Sequence, residues 1–187
     1  PELIHRYVSN RDDRKGDWVQ VSFDTYHDFR VATQFALGAG GTHTDMTLTD
    51  DKIETSSWNA VWKGKTHIDI EGKRWTAEFS IPFSQLSYRA HSDEDVWGLH
   101  IMRNIDRESE SVELSFAPPQ TSNIVYAFGE LHGMRNLPAT HQLELTPYVS
   151  GKHLREPKIE GSPYQTGSDW QRGAGLDAKA RLGDYTL

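Results

Sequence analysis

The chain has 187 residues, 36% hydrophobic and 11% aromatic, enough to bury a core and to form one domain with an appended piece. Its net charge of −7, with the 20 Lys and Arg nowhere gathered into a basic run, argues against nucleic acid or an anionic membrane surface as the main partner. The absence of cysteine removes disulfides, zinc–thiolate sites and thiol nucleophiles together, and is compatible with an oxidising compartment.

Period-two alternation bounded by Gly, Pro, Asn and Asp dominates the chain and predicts strands. Val19, Val21 and Phe23 alternate with Gln20, Ser22 and Asp24, which reads as a half-buried strand with its apolar phase inward. Trp18 is out of that phase and falls on the other side. Val31, Thr33, Phe35 and Leu37 form a second strand that stops at glycines, so the two suggest a hairpin. In Ser56 to Gly64, Trp58 and Trp62 share a face whether the segment is strand or helix. Trp62 reads as core. Trp58, beside two serines, reads as a rim ring that could stack on a pyranose. Ile68 and Ile70 precede a turn at Glu71, Gly72 and Lys73, after which Trp75, Ala77, Phe79 and Ile81 line one face of a return strand ended by Pro82. Trp97, Leu99 and Ile101 oppose His100 and Met102 in another strand, with Trp75 and Trp97 in phase with core residues. The stretches SVELSFAPP and VYAFGELHGM read as two more. No segment carries a helical apolar stripe over three turns, so the elements predict an all-β sandwich or barrel.

After about Leu137 the composition shifts. Leu143, Leu145, Pro147 and Val149 alternate in one strand and Leu176, Ala178, Ala180 and Leu182 in another, followed by a tight turn. Opening strands of an outer-membrane barrel have this form, and so does a soluble hairpin. No apolar run reaches the about 18 residues of a spanning helix.

Arg103, Asn104 and Arg107 follow the Trp97 strand, and guanidinium forks suit vicinal hydroxyls or carboxylates; solvated loop charge is the alternative. Asp24, Asp28, Asp45, Asp50 and Asp51 supply hard oxygens in turns, where calcium is the ion they could hold, or they are ordinary turn carboxylates. No EF-hand spacing and no His-Glu-x-x-His motif is present. A catalytic motif is equally absent, and Glu78, Glu113 and Glu130 stand singly, although paired acids meeting in space would leave a hydrolase open.

The ordered blocks DWVQVSFDTYHDFR, SWNAVWKG, RWTAEFSIPFSQL, VWGLHIMRNIDR, YAFGELHGM and LELTPYVSG resemble a family of uncharacterised Gram-negative proteins. In that family a periplasmic domain similar to carbohydrate-binding module family 9 precedes an outer-membrane β-barrel. The resemblance spans nearly the whole chain. It implies an antiparallel β-sandwich over residues 1–137, short of its first strands, and the opening of a β-barrel over 138–187. The chain, which starts at Pro1 rather than Met, thus reads as an excerpt of a longer protein. The implied role is non-catalytic binding of an oligosaccharide or polysaccharide at the periplasmic side of the outer membrane, with structural calcium a family trait. A structural or gating domain for a transport barrel, or a glycoside hydrolase-associated enzyme, are the alternatives.

Overall fold

Strands Trp18–Asp24 (β1) and Val31–Gly38 (β2) form the expected antiparallel hairpin, with Val21 opposite Phe35. The computed structural model describes residues 4–49, 54–56, 58–89, 94–118, 120–121, 123–138, 143–155, 157, 167–182 and 185–186. Next come His43–Thr49 (β3), Glu54–Thr55 (β4), Lys63–Asp69 (β5), Arg74–Ser80 (β6), Asp95–Ile105 (β7), Glu110–Glu113 (β8) and Gly129–Met134 (β9). Three short 3-10 turns are the only helical elements among the described residues.

One seven-stranded antiparallel sheet runs β4-β3-β2-β1-β7-β8, with β9 also on β7, and the hairpin β5–β6 forms a second, two-stranded layer. The two layers meet across Phe35, Leu37, Trp62, Tyr88 and Trp97, which makes this part an antiparallel β-sandwich. Trp62 sits at the junction. Its ring stacks on Phe79 at 5.6 Å, meets Phe35 edge-on at 5.5 Å, and its indole N–H donates to Asp45 at 3.1 Å.

Four expectations change. Residues 58–62 are neither strand nor helix, yet both tryptophans still turn towards Phe35. Asp45 lies inside β3 rather than in a turn, because β-branched Thr44, Thr47 and Thr49 sustain a strand there with little apolar content. The strand expected over SVELSFAPP stops at Glu113, and the last one begins at Gly129 after a 3-10 turn at Val125–Ala127. Most consequentially, β1 is inverted in burial. Trp18, Gln20, Ser22 and Asp24 are buried, whereas Val19, Val21 and Phe23 are only half-buried. Arg14 and the residues around Phe128 cover the polar phase, while the short β5–β6 layer covers the apolar phase incompletely.

The chain divides into two compact units, Pro1–Thr140 and His141–Leu187. The second consists of Leu143–Arg155 (β10), Ser168–Leu182 (β11) and Tyr185–Thr186 (β12), paired in that order.

Truncating a ring that joins both layers leaves a large cavity. We expect Trp62→Ala to cost about 3–5 kcal/mol in denaturant unfolding and Trp58→Ala, partly exposed, clearly less. Equal losses would mean that both rings are core.

Candidate functional site

Pairing brings three polar side chains side by side on the sheet face away from β5–β6. Ser22 lies between Gln34 on β2 and His100 on β7, and one step along the strand Gln20 lies between Ala36 and Met102. The floor is buried, with Gln20, Gln34 and His100 at 3%, 4% and 6% exposure. The Gln20 amide donates to Ser22 Oγ at 3.2 Å and its oxygen accepts from Arg14 at 2.7 Å. Arg14 also lies 5.2 Å over the Trp18 ring and pairs with Glu54. His100 stacks on Phe128 at 5.0 Å, with Nε2 3.6 Å from Glu113. Arg14, Glu54 and Glu113, more exposed than the floor, stand around it.

Two floor atoms, Gln34 Oε1 and His100 Nδ1, are buried without a hydrogen-bond partner among the described residues. Leaving a buried polar atom unsatisfied costs about 1–3 kcal/mol, so apolar side chains would serve stability better here. Burial pushes the His100 pKa below its ordinary value, partly opposed by the Glu113 carboxylate. At the strand end, burial raises the Asp24 pKa, and the backbone N–H of Phe29, donating at 2.8 Å, counteracts it. Gly98 keeps this end narrow, since a Cβ there would sit 2.9 Å from the Asp24 Cβ.

The residues singled out from sequence divide among several places. Asn104 shares the polar face with Trp18, and its amide donates to the Gly16 carbonyl at 3.0 Å. Arg103 and Arg107 line a groove on the opposite, apolar face together with Trp75. Trp58 is in neither arrangement, for it is half-buried and edge-on to Phe35 at 5.7 Å. Asp24 and Asp28 are neighbours, the Asp28 N–H lying 3.4 Å from Asp24 Oδ1. Asp45 is two strands away, fully buried, and accepts from Ala60, Trp62 and Arg11. Asp50 and Asp51 lie outside the described residues. No group of three or more acidic or histidine side chains placed to hold a metal ion occurs among the described residues.

Sequence reasoning passed over Gln20, Gln34, His100 and Arg14. The available signal was the polar phase of β1 and a single polar residue opposite Ser22 in each of two other strands, and only the order β2-β1-β7 makes them one surface. In comparisons with family models, curated proteins and solved structures, the chain has no match.

His100 yields a pH prediction. With a folded pKa below 6.5, its contribution to stability is complete above that value and is lost as the pH falls through the lower folded pKa, because the unfolded chain takes the proton first. Between about pH 7.5 and about pH 5.5 the melting temperature should drop less for His100→Gln than for the unsubstituted chain. Identical drops would show that the ring is not held neutral.

Proposed function

We propose that the chain is a non-catalytic carbohydrate-recognising domain of a Gram-negative outer-membrane barrel protein, acting on the periplasmic side. The buried polar floor of Gln20, Ser22, Gln34 and His100, with two of its atoms unpartnered, carries this reading. Sugar hydroxyls donate and accept at once, and amide, hydroxyl and imidazole groups supply both halves of that exchange. Trp18, under Arg14, and Phe128, stacked on His100, border the floor with buried ring carbon.

The second unit supports the barrel. Strand register places Leu145, Pro147 and Val149 on one face with Ala178, Leu176 and Ala174, while Tyr148, Ser150 and Lys152 share the other with Gly175, Gly173 and Gln171. Val149 and Leu176 are 88% and 61% exposed. Further along the same face, beyond Arg172, whose guanidinium lies 5.9 Å from the Trp170 ring, Trp170 and His153 stack at 4.5 Å. An apolar band, an aromatic near its end and a polar reverse face are the features of membrane-spanning strands.

An oligosaccharide array followed by calorimetry tests the recognition. Gln20→Ala and Gln34→Leu should each weaken binding by about tenfold or more, roughly 1.4 kcal/mol, with Trp58→Ala leaving affinity unchanged. If no oligosaccharide binds, or if both variants bind normally, the domain serves the barrel without sugar. Fractionation of cells making the full reading frame should place the protein in the outer membrane.

A further inference from the structure

We propose that the outer edge of β6 and the groove beside it receive an extended polypeptide strand, with apolar side chains at alternate positions and acidic residues at its ends. The two layers of the sandwich are unequal, seven strands against two. As a result Val19 and Val21 on β1 are half-buried and Ile101 on β7 is 38% exposed, although all three point to the side of the second layer. Between them and Trp75, Ala77 and Phe79 of β6 lies a groove of about 520 Å³.

The geometry of sheets says what fits there. β6 pairs with β5 only, and its seven residues make no other backbone hydrogen bond among the described residues. A strand added at about 4.8 Å from β6 in a layer about 10 Å from the large sheet would lie over Val19, Val21 and Ile101. Natural sheets shield such an edge with proline, an inward charge or a bulge. β6 has none of these, and its inward residues Trp75, Ala77 and Phe79 are apolar. The groove thus offers a row of backbone donors and acceptors beside an apolar floor, which is the requirement for strand addition.

Charge specifies the occupant. Lys73, Arg74, Arg103 and Arg107 line the groove and, among the described residues, no acidic one does, in a chain whose net charge is −7. Arg74 bonds to Asp69 and Arg107 to Glu108, whereas Arg103 has no ion pair among the described residues. A second copy docking edge to edge would bring like charges together, which disfavours a symmetric dimer.

The probe is a capped peptide of about seven residues with Val at alternate positions and Glu at both ends, added to the full chain and followed by calorimetry and amide exchange. Exchange of β6 amides should slow by about tenfold or more, and the same peptide with Lys ends should bind at least about tenfold more weakly. Arg103→Glu should weaken that charge preference and Ile101→Lys should abolish binding while the far-ultraviolet spectrum stays unchanged. Several results would overturn the proposal: no binding at millimolar peptide, equal binding of an analogue N-methylated at alternate amides, protection of β6 by concentration-dependent dimerisation alone, or occupation of the groove by an acidic oligosaccharide instead of the peptide.

Discussion

A single buried carboxylate organises the sandwich. Asp45, with no solvent exposure, accepts from the Ala60 backbone at 2.7 Å, from the Trp62 indole at 3.1 Å and from the Arg11 guanidinium. Arg11 also donates to the Ala60 carbonyl at 2.9 Å, and the Asp45 N–H donates to Asp12 at 3.1 Å. Two segments distant in sequence, one at Arg11 and Asp12 and one from Ala60 to Trp62, are thereby held to the middle of β3. A charge this deep is tolerable only when paired and hydrogen-bonded, so the irregular stretch 58–62 owes its course to the acid beneath it. The orientation of Trp62 follows, and with it the stacking on Phe79 that seats the second layer.

The amino-terminal segment and the loop after β7 attach to the same sheet by similar means. Asp17 accepts from the Asp106 backbone at 3.0 Å, and the Asp17 N–H donates to the His5 carbonyl at 2.7 Å. His5 Nδ1 in turn lies 2.7 Å from the Asp106 carboxylate. These contacts tie both segments to the start of β1, while Arg14 and Phe128 lie against the polar phase of the sheet. Polar side chains on that face therefore meet ring carbon and one another more than water, which is the condition under which hydrogen bonds discriminate between ligands.

Much of this is legible in the sequence and some is not, for identifiable reasons. The β1–β2 and β5–β6 hairpins are readable because apolar residues recur at every second position and the turns carry Gly or Asp. Trp18 on the opposite side of β1 follows from phase alone, whereas phase puts Trp58 and Trp62 together and only the flanking serines set them apart. Strand β3 is hidden, since HTDMTLT contains two large apolar residues and depends on threonine and on its place beside β2. Burial of Gln20 and Ser22 is also hidden, because alternation separates the faces of a strand without saying what covers each. The Asp45 node escapes for a third reason: its partners come from sequence positions 11, 60 and 62, and no local spacing relates them.

The inverted burial of β1 has a consequence for how the chain reaches its native pairing. Shifting a strand by one residue exchanges its faces, and a sheet with one solvated face resists that slip through one set of side chains only. Here both faces are committed, since Val21 sits between Phe35 and Ile101 and the next residue, Ser22, between Gln34 and His100. A slipped β1 would press Gln20 and Ser22 towards the aromatic core and set valines against amides, incurring penalties on both sides at once. Register is encoded redundantly, so the central strand has little room for a misaligned competitor during folding.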